Sequence, residues 1–234
     1  MGFVLNEVVP WGRSFAEYVK MFDLEGEDFK SRILSCGDGP ASFNCEMNQL
    51  GHTVTSIDPI YQFSGEQIEQ QINKTFDDVI EQVSRNKEDF VWETVRSMDE
   101  LGRVRLAAMR EFLADFEKGK KEKRYFAESL PSLSFEDGRF DLALCSHFLF
   151  LYSKQLSLEF HHRAIAEMLR VAGEVRVFPL LELAGQPSPY LNEIIERFKS
   201  AGFKVEVKKV PYEFQRGGNK MMRIKNSGTA IWWA

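Results

Sequence analysis

The sequence predicts an α/β domain: a doubly wound, mostly parallel seven-stranded sheet with a helical insertion after the second strand. Three observations carry that expectation. Short apolar runs alternate along the chain with segments of helical period. The run Phe140-Asp141-Leu142-Ala143-Leu144-Cys145 is almost continuously apolar, as strands buried on both faces of a parallel sheet are. The alternation is interrupted once, over residues 64–118, which carry helical patterns and no strand signal.

The elements follow in order. Residues 14–24 set Phe15, Val19 and Phe22 at helical spacing behind Ser14, an N-cap residue. Residues 31–36 read as a strand ending in a glycine turn, and 41–50 as a helix that stops at Gly51, a C-cap position. A second strand, 53–57, ends at Asp58-Pro59. Two long amphipathic patterns follow, one through Ile68, Ile72, Phe76, Val79 and Val83, the other through Val104, Ala108, Phe112 and Phe116. A shorter helix holding Trp92 and Val95 is expected between them. Strands return at 124–127, 140–145 and 174–179, with a helix over 157–171. A helix over 188–201, closed by Gly202, leads to strands 204–210 and 220–224, joined across Arg216-Gly217-Gly218-Asn219, which reads as at least a hairpin turn, the alternative being a turn that also approaches a ligand site.

With 234 residues, 44% hydrophobic and 28% charged, the chain can bury a full core, and one domain over 1–234 is expected. The net charge is −5, and the densest basic run, Lys118-Gly119-Lys120-Lys121-Glu122-Lys123-Arg124, is short and interrupted, which disfavours a nucleic-acid partner. Cys36, Cys45 and Cys145 form an odd, sparse set without metal-ligand spacing; they suit a reducing compartment, and no metal is expected. No apolar run approaches the ~20 residues of a membrane span and no signal pattern is present, so a cytoplasmic protein without a membrane partner is expected. His161 and His162 are adjacent on a helix, cannot both face one site, and read as structural.

The chemistry concentrates in Ile33-Leu34-Ser35-Cys36-Gly37-Asp38-Gly39-Pro40-Ala41-Ser42-Phe43. In an open α/β sheet, the turn after the first strand is where ligands meet backbone amides. Asp58 lies about 20 residues on, where a carboxylate can accept from ribose hydroxyls; its alternative is a turn residue before Pro59. A dinucleotide fits poorly. The third glycine of Gly-x-Gly-x-x-Gly is replaced by Ser42, Pro40 has no amide to offer a pyrophosphate, and Asp38 would face an anion. S-adenosylmethionine (SAM) shares the adenosine, lacks phosphate and is cationic at the sulfonium, so the acidic turn suits it.

Four stretches together resemble the class I SAM-dependent methyltransferases, over about residues 30–225 apart from the insertion: ILSCGDGPASF, TVTSIDPIY, ESLPSLSFEDGRFDLALCSHFLFLY and GEVRVFPLLEL. The resemblance implies the Rossmann-like methyltransferase fold, SAM as cofactor and S-adenosylhomocysteine (SAH) as product. It implies cofactor contacts from Cys36, Gly37, Asp38 and Gly39, from Asp58 and Pro59, from Glu128, Ser129 and Leu130 near the adenine, and from Ser146. His147 and Tyr152, just past the fourth strand, are the candidate catalytic residues; His147 is either a base or acceptor-positioning group, or a satisfied histidine at a strand end. The family carries an acid at the end of the first strand, where this chain has Ser35, and Asp38 is expected to take over its ammonium contact. A helical cover over 1–30 would set Arg13 against the methionine carboxylate, the alternative being a surface arginine beside a packed tryptophan. The insertion, 59–123, is either packing for the sheet, a lid over the acceptor, or both.

The implied activity is methyl transfer by in-line displacement to a small or medium-sized acceptor, in a monomer or homodimer. A non-catalytic SAM- or SAH-binding regulator, a tRNA or protein methyltransferase, and a nicotinamide oxidoreductase remain open.

Overall fold

Residues 9–226 are described by the computed structural model. Seven strands, β1 (Ile33–Cys36), β2 (Val54–Ile57), β3 (Tyr125–Phe126), β4 (Phe140–Ser146), β5 (Ala172–Phe178), β6 (Phe203–Lys209) and β7 (Lys220–Asn226), form one sheet in the order β3-β2-β1-β4-β5-β7-β6. β7 runs antiparallel to both of its neighbours, and the other pairings are parallel. This is the seven-stranded Rossmann-like methyltransferase arrangement. Strand order reverses between β1 and β4, which opens a crevice at their carboxyl ends.

The period of two in the strands sets the layers. Ile33, Leu142 and Leu144 face α1 (Phe15–Phe22) and α2 (Phe43–Gln49), packing with Tyr18, Met21, Phe22 and Phe43. Leu34, Cys36, Ala143 and Cys145 point the other way, onto Ile165 and Met168 of α5 (Leu158–Val171) and Ile194 and Phe198 of α6 (Leu191–Ser200). α1 begins with a capping box in which Ser14 and Glu17 satisfy each other's backbone amides.

The insertion consists of α3 (Gly65–Arg85) and α4 (Met98–Lys121). Ile68, Ile72, Met109, Phe112 and Phe116 pack around Tyr61 and Tyr125, which seats the pair on the β2–β3 edge. Arg124 clamps Asp115 of α4 with two bonds of 2.7 Å and reaches Asn44 of α2 at 2.6 Å. The expected short helix around Trp92 and Val95 does not form. After a 3-10 turn at Lys87–Asp89, residues 90–97 are irregular because tertiary contacts claim them: the Phe90 and Trp92 rings lie 4.9 and 5.6 Å from Phe214, and the Val91 amide donates to the Phe214 carbonyl. β6 and β7 form the expected antiparallel pair, with a turn at Arg216-Gly217 closed by the Gly218 amide on the Gln215 carbonyl. The connection is longer than the turn, a loop over 210–219 that reaches across to the insertion, where the Arg216 amide donates to the Asp89 carbonyl. No helix among the described residues is long and apolar enough to cross a membrane.

Candidate functional site

Past β1 the chain turns through Gly37 and Gly39, at φ of +64° and +55°, a region costly for residues with a Cβ. Gly37 also admits a close neighbour, since a Cβ there would lie 3.1 Å from that of Phe148. The amides of this turn are committed. Gly37 and Asp38 donate to the Ile57 carbonyl, Gly39 donates to Asp58 Oδ2 at 2.9 Å, and Pro40 has none.

The Asp38 side chain turns back under the loop. Its Oδ1 accepts from Ser35 Oγ at 2.6 Å and from the Tyr18 hydroxyl, and its Oδ2 accepts from Ser56 Oγ at 2.5 Å. Burial raises its pKa, against the opposing pull of the three hydroxyls. Ser35 thus keeps a carboxylate beside the end of β1 by hydrogen-bonding the one supplied three residues later.

Asp58, half-buried at the end of β2, accepts from the Gly39 and Ile60 amides at 2.9 Å each. Burial pushes its pKa up to about 6; the two amide bonds lower it and the Asp38 charge raises it. Glu128 is oriented by Ser134, whose amide and hydroxyl donate at 3.0 and 2.5 Å.

The segment before α1 lies directly on the glycine loop. A Cβ on Gly12 would fall 2.1 Å from the Pro40 carbonyl oxygen, and the Ser42 amide donates to the Arg13 carbonyl at 3.0 Å. Arg105, fully buried on α4, pairs with Glu17 through two bonds of 2.5 and 2.6 Å, and Tyr212 donates to the same carboxylate at 2.9 Å. Burial opposes the Glu17 charge, but Arg105 holds its pKa well below the usual carboxylate range. Glu17 is thereby occupied. Arg13 is left with one bond, Nη1 to the Trp11 carbonyl at 2.8 Å, and a buried Nε without a partner among the described residues. Burial, with Arg105 adding to it, pushes the Arg13 pKa down to about 10, still well above neutral pH.

His147 follows β4 at a φ of +51° and donates its amide to the Phe178 carbonyl. Its Nδ1 lies 2.9 Å from Ser146 Oγ. Burial, reinforced by Arg13 and Arg105, pushes its pKa well below the ordinary value, so the ring is neutral at pH 7. Burial raises the Tyr152 phenol, which is likewise neutral.

These groups line one cavity of about 490 Å³ along the carboxyl edge of the sheet. Arg13, Gly37, Asp38, Gly39, Asp58, Pro59, Glu128, Ser129, Leu130, Ser146, His147 and Tyr152 all border it, and so does Gly218 of the turn expected near the acceptor. Cys36 does not: strand alternation directs its side chain into the core beneath α5, where it is fully buried. Sequence reasoning missed Tyr18, Phe178, Tyr212 and Gln215 in the lining and the Glu17–Arg105 pair behind it. Tyr18 had a usable signal, lying on the same helix as Phe15 and Phe22 but carrying a hydroxyl. His161 is buried on α5, its Nδ1 2.8 Å from the Ser157 carbonyl oxygen, away from the cavity lining. No cluster of metal-ligating side chains occurs among the described residues.

No protein-family model matches the chain. An uncharacterized protein of Methanocaldococcus jannaschii, MJ0045, is 35% identical over 223 residues, spanning 94% of this chain and 97% of that protein. The chain belongs to that protein's family. Among solved structures it is similar to magnesium protoporphyrin IX methyltransferase (ChlM) from Synechocystis PCC 6803 with bound SAH, at 13% identity and a TM-score of 0.46 over 91% of this chain and 80% of that one. It is similar to a possible histamine N-methyltransferase from Thermotoga maritima at 11% identity and a TM-score of 0.42, covering 92% and 90%. It is also similar to the bifunctional kinase-methyltransferase WbdD at 14% and 0.44, covering 91% of this chain and 39% of that one. The strand order defines the fold independently of them.

Proposed function

We propose that this chain is a SAM-dependent methyltransferase acting on a small or medium-sized acceptor by in-line displacement. One observation carries the reading: the glycine turn presents hydrogen-bond acceptors and no free amide across residues 37–40, while Arg13, whose guanidinium makes a single side-chain hydrogen bond to the Trp11 carbonyl, borders the same cavity. A pyrophosphate needs donors and finds none there. An adenosine cofactor without phosphate needs an acceptor for its ribose hydroxyls and, if it carries an amino acid, a cation for the carboxylate. Asp58 supplies the first, because each of its oxygens accepts one amide and keeps a second lone pair. Arg13, a cavity-lining guanidinium that pairs with no carboxylate among the described residues, supplies the second. Asp38 retains one unused lone pair on Oδ2 and a carboxyl able to balance positive charge.

When bound, SAM supplies a methyl group already activated by its sulfonium. The residues therefore have to align an acceptor and exclude water. The N-terminal segment and the α3–α4 insertion act as the cover and lid, contributing Trp11, Val79, Val83 and Phe90 to the cavity wall. His147 is neutral, and with Nδ1 bonded to Ser146 its Nε2 is left to orient or deprotonate an acceptor whose proton is weakly held.

Calorimetry with SAH and with NAD tests the cofactor, and methyl transfer from labelled SAM to a small-molecule extract tests the activity. SAH binding without NAD binding is expected, lost in Asp58→Ala. NAD binding in place of SAH would refute the reading, and SAH binding without any transfer would leave a binding-only regulator.

A further inference from the structure

We infer that the methyl acceptor is an uncharged aromatic molecule carrying a hydroxyl or amine, held by Gln215 in the part of the cavity beside β5 and β7. The inference rests on the methyltransferase reading and adds the substrate class.

The cavity is divided by charge. Asp38, Asp58 and Glu128 belong to the loops after β1, β2 and β3, and Arg13 lies over the first of these. The rest of the lining comes from the segment before α1, from α3, from the stretches after β4 and β5, and from the β6–β7 loop. Among the described residues it includes no carboxylate and no further lysine or arginine. Its walls are Trp11, Val83, Phe90, Leu183 and Phe214, with the Phe90 and Phe214 rings 4.9 Å apart. A charged acceptor would lose its hydration here without gaining a counterion, since the cofactor carboxylate takes Arg13. Flat apolar faces match these rings.

Gln215 supplies the polar contact. Its Nε2 donates to the Glu182 carbonyl at 3.2 Å and to the Leu183 carbonyl at 3.0 Å, so both amide hydrogens are used. Two carbonyl partners also settle which end of the amide is nitrogen. Oε1 has no partner among the described residues and, on a half-buried cavity-lining side chain, is open to a donor from a bound molecule. The backbone holds it in place: Gln215 bridges to Phe90, and the Gly218 amide donates to the Gln215 carbonyl at 2.8 Å. An O–H or N–H on the acceptor satisfies this oxygen; an ether or a hydrocarbon does not. In the transfer, the acceptor oxygen or nitrogen forms its bond to the methyl carbon as the carbon–sulfur bond breaks. That electron pair returns to sulfur, and the acceptor proton, held by Gln215 Oε1 in the bound complex, is released from it and passes to His147 Nε2.

Calorimetric titration of the SAH-saturated protein at pH 7 with 2-naphthol, 2-methoxynaphthalene and 2-naphthoate tests this. Naphthol is expected to bind at least tenfold more tightly than naphthoate and about fivefold more tightly than the ether. Gln215→Leu should erase the preference over the ether. Equal or tighter naphthoate binding, a preference that survives Gln215→Leu, or SAH binding with no probe binding would overturn the inference. Naphthol preference in a protein that does not bind SAH would overturn the methyltransferase reading and with it the acceptor role, leaving Gln215 in a binding pocket for hydroxylated aromatics. If neither SAH nor any probe binds, both fall.

Discussion

Acidification is expected to release the cofactor through Asp58. Only the carboxylate can hold the Gly39 and Ile60 amides and still accept two ribose hydroxyls, so binding draws on the ionised form. With the pKa at about 6, roughly nine-tenths of the protein is competent at pH 7 and roughly one-tenth at pH 5. SAH affinity should therefore fall about tenfold between those values, equivalent to about 1.4 kcal/mol. Glu17 stays ionised across this window because Arg105 holds its pKa well below the usual carboxylate range, and burial shifts His147 downward from its ordinary value. Asp38 is the neighbouring acid whose pKa is also raised, so Asp38→Asn serves as the second control. Asp58→Asn should weaken SAH by about 2–4 kcal/mol and flatten the profile. Stability moves the other way. A folded pKa raised above the unfolded value means that the free protein gains stability from Asp58 as pH falls from about 6 towards about 4. Calorimetric titrations of SAH from pH 5 to 8 decide the matter. A flat wild-type profile, or a slope that persists in Asp58→Asn, would refute the argument.

Three further outcomes are expected. Arg13→Ala should weaken SAH roughly ten- to a hundredfold with little change in melting temperature, since the only side-chain bond lost goes to the Trp11 carbonyl, whereas Arg13→Lys should recover part of the affinity; calorimetry and thermal melts check both. Arg105→Met strands the Glu17 charge in the interior and should cost about 3–5 kcal/mol in urea unfolding, with the pair Glu17→Gln and Arg105→Met restoring at least half, because the amide oxygen still accepts from the Ser14 amide and the amide nitrogen can donate to the Tyr212 hydroxyl. Asp38→Ser should lose SAH, Ser35→Asp should set two carboxylates in contact and lose it as well, and the double exchange should bind nearly as the wild type does.

Much of the fold is legible because its signals are local. Strand alternation, the Ser14 cap and the stripes of α3 and α4 depend on neighbours within a few residues, and those elements form within about two residues of expectation. The failures lie where distant segments decide. Trp92 and Val95 read as helical, but Phe214, more than a hundred residues on, holds that stretch irregular. The Arg216–Asn219 turn does join an antiparallel strand pair, but its contact with Asp89 of the insertion has no local signal. At the site, glycine spacing and the Asp58 position are visible in one dimension. The Glu17–Arg105 pair joins residues 88 positions apart and shows no spacing signal at all. Cys36 fails for a simpler reason: it lies beside a binding turn, but the period of two assigns it to the opposite face.

Ser35 and Asp38 show what this fold specifies at the end of β1. The Asp38 carboxylate lies beside the end of β1, supplied from the turn instead of the strand. The exchange has a structural consequence. A carboxylate on the strand would need only strand neighbours, whereas one reaching back from the turn leaves donors to be found above and below it. Ser56 of β2 supplies one and Tyr18 of α1 another. The helix that follows Arg13 therefore also closes the hydrogen bonds of the glycine turn, and its next residue, Glu17, is pinned to the insertion by Arg105. Cover, turn and insertion are thus tied through adjacent residues of α1. Loss of Tyr18 or Glu17 would be felt at the cofactor site although neither lies in the sequence motif.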